Sequence, residues 1–304
     1  YQKVIIEEKL TFFWDQVKLK NALEKNSVDI FFSPYYKIPI LAKIPSIISL
    51  FDLIYLKVEP YKSQFKNKFF IKNFITLSGK KAKKILTISN YTKKDLVKFF
   101  NFPKEKIDVV YPAISTNFFK RNFSEIEIVR KKYSIDKKYL LYVGNSNPHK
   151  NLFRLIEGYN LLSKKFRDEY CLVLAGVSNF QNKNDNLKII NFIPDEDLPV
   201  LYSGASLFMF PSIYEGFGLP PLEAMACGCP VVSSNTSSMP EILGDACLYF
   251  NPYDVREICN IIEQVLENKS LQDQLREKGL QRAKLYTAEK MTNQLLNIFE
   301  KLKD

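Results

Sequence analysis

Glu215 and Glu223 stand eight positions apart in the run Glu215-Gly216-Phe217-Gly218-Leu219-Pro220-Pro221-Leu222-Glu223. At about 3.6 residues per turn, residues i and i+8 lie on nearly the same face of a helix. The first carboxylate falls before or at the helix start, so the two are expected to flank a ligand rather than touch each other. Gly216 and Gly218 leave backbone N–H groups uncovered at a helix N-terminus, where partial positive charge suits a phosphate. A core helix has no need of that arrangement, whereas a nucleotide diphosphate does. The alternative is an ordinary strand–turn–helix with a chance pair of carboxylates.

A second polar cluster, Asn145-Ser146-Asn147-Pro148-His149-Lys150, follows the apolar run Tyr139–Val143 and Gly144 and precedes a helical pattern. Lys150 is placed there to reach a phosphate as a flexible point charge. His149, the only histidine of the chain, reads either as a ligand-binding side chain or as a capping residue at a helix start. In the first part of the chain, Asp52 closes an apolar run at a strand's C-terminal edge, where open α/β sheets bind ligands. A helix N-cap explains Asp52 as well.

Elements that could hold these residues are legible on both sides of a seam near residues 115–135. Before it, Asp29–Ser33, Ser46–Phe51, Lys84–Ser89 and Ile107–Tyr111 are short apolar runs, read as parallel strands buried on both faces. Helical patterns lie between them at 61–82 and 91–100, the second with Ser89 or Asn90 as N-cap. After the seam, strands are expected at Tyr139–Val143, Cys171–Ala175, Leu187–Phe192, Ser206–Phe210, Val231–Ser233 and Cys247–Phe250. Helices are expected at 151–166, 195–204, 220–227, 254–267, 270–285 and 287–302. Such alternation argues for doubly wound α/β domains.

The chain has 304 residues, 46% of them hydrophobic, enough for two domains with separate cores. Its five cysteines, Cys171, Cys227, Cys229, Cys247 and Cys259, show no zinc-site spacing, and one histidine cannot complete a ligand cluster. They read as reduced, buried thiols of a cytoplasmic protein. The most apolar stretch, Ile38–Leu56, is interrupted by Pro39, Lys43, Pro45 and Asp52 and so does not read as a membrane span. The net charge of +11 is uneven, since residues 1–120 carry 22 lysines and no arginine against 10 acids. Lysines and aromatics interleave at Tyr61, Lys62, Phe65, Lys66, Lys68, Phe69, Phe70 and Lys72, and lysines recur at Lys80, Lys81, Lys83 and Lys84. This pattern suits an anionic membrane surface, or is simply a solvated lysine face. No nucleic-acid-binding motif is present.

The sequence from Pro211-Ser212 through Glu215-Gly216-Phe217-Gly218 to Glu223, with Gly228-Cys229-Pro230-Val231-Val232 after it, resembles the E-x7-E motif of retaining glycosyltransferases of family 4. The resemblance implies the GT-B fold, two Rossmann-like doubly wound domains facing a cleft. It also implies boundaries at 1–125 for an acceptor-side domain and 126–286 for a nucleotide-sugar domain, with a terminal helix, 287–304, crossing back to the first. Relatives begin with a strand, a Gly-rich loop and a long helix ahead of the position of Tyr1, so the first domain is expected to lack its opening.

By the same resemblance, Glu223 would accept hydrogen bonds from the two ribose hydroxyls, and Glu215 would meet the transferred sugar. Gly216, Phe217, Gly218 and Leu219 would offer backbone N–H groups to sugar hydroxyls and phosphate. Lys150 would neutralise the leaving diphosphate, with Asn145 standing where many relatives carry an arginine. Phe51-Asp52 occupies the place of a His-Asp pair, and Asp52 is expected in catalysis with Glu215.

The implied activity is transfer of a sugar from a nucleotide diphosphate donor, with GDP-mannose preferred, to a glycan or lipid-linked acceptor with retention, as in polysaccharide biosynthesis. No metal or other cofactor is expected. The alternatives are a nucleotide-sugar-binding protein without transfer activity, a nucleotide-sugar epimerase and a peripheral membrane scaffold.

Overall fold

A computed structural model describes residues 3–5, 14–59, 61, 68–178 and 184–302. The chain divides into two compact units, Tyr1–Tyr111 with Leu295–Asp304, and Pro112–Gln294.

The first unit is built on a four-stranded sheet, β1 (Phe31–Ser33), β2 (Ser46–Ser49), β3 (Lys84–Thr87) and β4 (Ile107–Val109), paired in that order. All three pairings are parallel. Its helices are α1 (Leu19–Lys25), α2 (Ile54–Lys57), α3 (Lys68–Lys81) and α4 (Asn90–Phe100). Every residue of β2 is buried, as expected of a strand covered on both faces. Ile48, Ile85 and Ile107 from adjacent strands share a core with Leu96 and Phe100 of α4. Ser89 caps α4 by accepting from Thr92 N at 3.1 Å. Lys62, Phe65 and Lys66, part of the lysine–aromatic run, lie outside the described residues, as do the side chains of Lys68 and Phe69.

The second unit carries α5 (Phe123–Lys132), β5 (Lys138–Val143), α6 (Leu152–Leu161), α7 (Lys164–Glu169), β6 (Tyr170–Ala175), β7 (Leu187–Ile190), α8 (Leu198–Gly204) and β8 (Leu207–Phe210). It continues through α9 (Leu219–Ala226), β9 (Val231–Ser234), α10 (Met239–Leu243), β10 (Leu248–Phe250), α11 (Val255–Glu267), α12 (Lys269–Ala283) and the start of α13 (Ala288–Glu300). Six parallel strands pair in the order β10-β9-β8-β5-β6-β7. Counted from β5, that is the doubly wound Rossmann order, with the order of strand addition reversing between β5 and β8 while the strands stay parallel. Leu140, Tyr142, Leu172, Leu174, Leu207 and Met209 of the central strands pack with Leu155 and Tyr159 of α6 and Ile258 and Ile262 of α11.

Several details differ from the sequence reading. The helix expected at 151–166 is two helices, because Leu162 leaves helical geometry at φ −53°, ψ 146°. Within the expected seam lies α5, closed by a capping box in which Asn122 Oδ1 accepts from Glu125 N and Asn122 N donates to Glu125 Oε2, both at 3.0 Å. The division falls at Tyr111/Pro112 rather than 125/126. Helix α5 is held on α8 by Asp197, whose Oδ2 receives Lys132 Nζ and Tyr133 OH at 2.6 Å each. The end of α13 is grouped with the first unit, where Phe299 meets the Phe32 ring edge-on at 5.6 Å.

Candidate active site

In the second sheet, Leu140 and Leu141 of β5 pair with Leu207 and Phe208 of β8. Their C-terminal ends therefore deliver two loops, Gly144–Asn151 and Pro211–Gly218, to one sheet edge at the switch point, where open α/β sheets take ligands. There Lys150 Nζ lies 2.7 Å from Glu215 Oε1, with the side chains only 15% and 13% exposed. Lys150 Nζ also stands 5.5 Å from the centre of the Phe210 ring, within cation–π range. The loops are joined by backbone as well, since Ile213 N donates to His149 O at 2.7 Å. Asn151, in a left-handed conformation (φ 55°), donates from Nδ2 to Pro211 O at 3.2 Å and Pro252 O at 2.7 Å.

The turn after Glu215 is clamped by two serines that the sequence reading did not single out. Glu215 N donates to Ser237 Oγ at 3.0 Å. The Ser238 hydroxyl lies 3.0 Å from Glu215 O and 2.9 Å from Phe217 O and shares its proton between them. Phe217 is buried, edge-on to Tyr286 at 5.4 Å. Gly218 (φ 111°, ψ 61°) precedes α9, and a Cβ there would sit 2.6 Å from Met239 Cε. Among the described residues, no protein acceptor receives the N–H groups of Gly216, Gly218 or Leu219. Pro220 and Pro221 have no N–H, so the first turn of α9 offers fewer donors than an ordinary helix start. The donors at this edge are therefore the loop amides and Lys150 more than the helix terminus.

Glu223, one turn into α9, does not touch Glu215 through any hydrogen bond; its Oε2 receives Tyr202 OH from α8 at 3.0 Å. Burial pushes the Glu223 carboxyl above its usual range, opposed by the Tyr202 bond and assisted by Asp195. Asn145 turns its side chain to its own loop, Oδ1 accepting from Asn147 N at 3.0 Å, while its carbonyl accepts from Tyr142 OH at 2.6 Å. His149 is buried, and burial lowers its imidazole pKa against the opposing pull of Glu215.

Asp52 belongs to the first unit and is described there by itself. Its Oδ1 accepts from Ile54 N at 3.0 Å, a local turn just ahead of α2. The N-cap position itself is Leu53 and carries no side-chain cap, so Asp52 is not the helix N-cap. It lines a cavity of about 350 Å³ with Tyr35, Tyr36, Phe51 and Tyr55. Tyr202, Ser237 and Ser238 escaped the sequence reading because their partners lie more than twenty positions away.

The edge thus carries a lysine, amides with no protein acceptor among the described residues, and a second carboxylate. Residues 125–282 match the family model for glycosyl transferases group 1. The chain belongs to this family. Residues 4–118 of this group 1 chain also match the model of glycosyltransferase family 4. It is 37% identical over 233 residues to O-antigen chain mannosyltransferase B of Escherichia coli, covering 73% of this chain and 61% of that one. It is 31% identical over 212 residues to O-antigen chain mannosyltransferase RfbU of Salmonella typhimurium, covering 67% and 57%. The chain thus spans less than two thirds of the length of these relatives. Anabaena HepE in complex with UDP-glucose matches with a TM-score of 0.79 at 17% identity, covering 93% of this chain and 81% of that one. With two parallel-sheet α/β units, the fold class is the expected GT-B. Among the described residues, no helix is long and apolar enough to cross a membrane.

Proposed function

We propose that this group 1 glycosyl transferase moves a hexose, mannose by preference, from a nucleotide diphosphate donor to a glycan or lipid-linked acceptor, with retention at the transferred carbon. The observation that carries the reading is the Lys150–Glu215 pair at 2.7 Å, set beside the unpaired amides of Gly216, Gly218 and Leu219. In this reading the diphosphate takes Lys150 and the amides, Glu215 turns to the sugar, and Glu223 accepts from the ribose hydroxyls. Preorganised donors that meet negative charge as it develops on the departing diphosphate supply the main acceleration. The lysine and amides supply the neutralisation, so the mechanism calls for no divalent metal or other cofactor. The mannose preference is supported by the names of the two O-antigen relatives.

Asp52 is proposed to act on the acceptor side, with aromatic rings beside it suited to a sugar face. We place the protein in the cytoplasm, with the first unit against an anionic membrane. Phe70 and Leu77 of α3 are exposed there, and Lys72, Lys80 and Lys81 of the same helix are exposed as well. Binding without transfer is the competing reading, favoured by Asn145, whose side chain serves its own loop.

Calorimetry of GDP, UDP and dTDP binding, with Glu223→Ala alongside, tests the donor site. Micromolar binding of one nucleotide, lost in the variant, is the expected outcome; binding of none of them would sink the enzyme reading. Transfer from GDP-[14C]mannose to a lipid extract, with and without a chelator, separates transfer from mere binding. A strict requirement for Mg²⁺ would overturn the metal-free mechanism. Flotation with vesicles containing anionic lipid, repeated with Phe70→Ser/Leu77→Ser, tests the membrane placement.

A further inference from the structure

The Glu223 carboxyl is a difficult group to keep useful. It is largely buried, it stands near Asp195, and among the described residues no cation lies within ion-pair distance of it. Among the described residues, its hydrogen-bond donor is the Tyr202 hydroxyl, 3.0 Å from Oε2. Tyr202 is fully buried on α8, its ring edge-on to Phe208 at 5.3 Å and to Phe118 at 6.0 Å. The ring is thereby held on both sides, and the hydroxyl has little freedom to point elsewhere. Burial and the neighbouring carboxylate also hold the phenol far from ionisation, so the hydroxyl is always a donor.

We propose that Tyr202 is a positioning residue of the donor site, its hydroxyl holding Glu223 Oε2 so that the carboxylate is turned to receive a vicinal diol, the ribose of the nucleotide. The proposal rests on the reading of Glu223 as the ribose acceptor and adds the residue that makes it one. A carboxylate with one oxygen already satisfied has a fixed plane, and its remaining lone pairs point in fixed directions. Two hydroxyls on adjacent carbons can meet it without the carboxylate first reorienting. The titratable groups facing Glu223 are Tyr202 from α8, Asp195 ahead of that helix and Cys227, which caps the C-terminal end of α9. Asp195 opposes the charged form and Cys227 stays a thiol, its pKa raised by burial, so the Tyr202 bond is the interaction that favours the carboxylate.

Tyr202→Phe, which keeps the ring and removes only the hydroxyl, is compared with the unaltered protein and with Glu223→Gln. The probes are GDP and UDP, each with its 2′-deoxy counterpart, by calorimetry across pH 5.5 to 8.5. In the unaltered protein the ribonucleotide should bind at least tenfold more tightly than its 2′-deoxy form, and Glu223→Gln should abolish that preference. Tyr202→Phe should weaken the ribonucleotide several-fold while leaving the 2′-deoxy form nearly unchanged, and the loss should shrink as pH rises. A uniform loss for both nucleotides at every pH would make Tyr202 a packing residue and overturn the proposal. So would an unchanged preference in Tyr202→Phe with the preference lost in Glu223→Gln. An unchanged preference in Glu223→Gln, or binding of neither nucleotide, would instead remove the ribose reading of Glu223 and the proposal with it. Should Tyr202→Phe fold poorly, Tyr202→Trp, which supplies an N–H donor, gives the second arm through the same ribose-to-deoxyribose ratio. Partial retention of the ratio is expected there, and its complete loss in a folded protein would count against the proposal.

Discussion

Lys150 Nζ and Glu215 Oε1 meet at 2.7 Å although the residues are 65 positions apart in the chain. Each comes from a loop at the C-terminal end of a different strand, and those parallel strands, β5 and β8, are neighbours only because the strand order switches to the other side of β5 after β7. The pair sets a lysine beside a carboxylate in a place that solvent barely reaches, the two side chains being 15% and 13% exposed.

Removing one member of this pair should hurt more than removing both. Lys150→Met leaves a largely buried carboxylate without its cation, which costs about 3 kcal/mol, whereas an apolar pair of similar volume recovers much of that loss. A denaturant double-mutant cycle with Lys150→Met, Glu215→Leu and the double variant should show strong coupling, and additive losses would contradict the pairing. Nucleoside diphosphate affinity in Lys150→Met should fall at least tenfold, about 1.4 kcal/mol.

Gly218→Ala meets two obstacles at once. The backbone stands at φ 111°, and the new methyl would lie 2.6 Å from Met239 Cε and 3.0 Å from its Sδ. Strain of this kind costs about 1–3 kcal/mol. The melting temperature should drop, and nucleotide binding should drop further because the Gly216–Leu219 amides move with the turn. Unchanged calorimetric affinity would show that those amides do not meet the ligand.

Glu223→Gln should stabilise the protein and disable it. The folded-state pKa of Glu223 is raised by burial above its unfolded value. Its contribution to stability is therefore fully present below the unfolded pKa and is lost as pH rises through the folded one. Replacing the charge by an amide removes that loss, so the melting-temperature advantage of Glu223→Gln should grow with pH and then level off. An advantage that shrinks with pH would reverse the assigned shift. Ribonucleotide binding should weaken to the level of the 2′-deoxy form in the same variant, a trade of stability against function.

Asn122→Ala removes one half of the capping box of α5 and should cost about 1 kcal/mol in chemical denaturation. Ligand affinity should be unaffected, since the box holds the helix and not the site. A loss of nucleotide binding without a loss of stability would overturn that separation.

Much of the fold was legible because its signals are local. Runs such as Leu207–Phe210, buried at every position, announce parallel strands by their unbroken apolar character. Ser89 announces the start of α4 by its type and place. The box Asn122-x-x-Glu125 was equally present in the sequence, and was passed over because the surrounding stretch looked like a seam. Asp52 stood between two readings that its immediate neighbours could not separate, and the structure gives it not the N-cap, which is Leu53, but a turn bond from Ile54 N at 3.0 Å.

What the sequence by itself determined was the alternation of strand and helix, the division into two α/β parts and the chemistry-bearing turn from Glu215 to Glu223. Each of these is written in dihedral preference and apolar period, over fewer than about a dozen neighbouring residues. Only the tertiary structure decided that Lys150 pairs with Glu215, that Tyr202 holds Glu223, and that Ser237 and Ser238 clamp the turn. These contacts depend on strand order and on how α8 and α10 pack against the sheet edge. Crossover connections set that order across tens of residues, and no periodicity within a single segment records it.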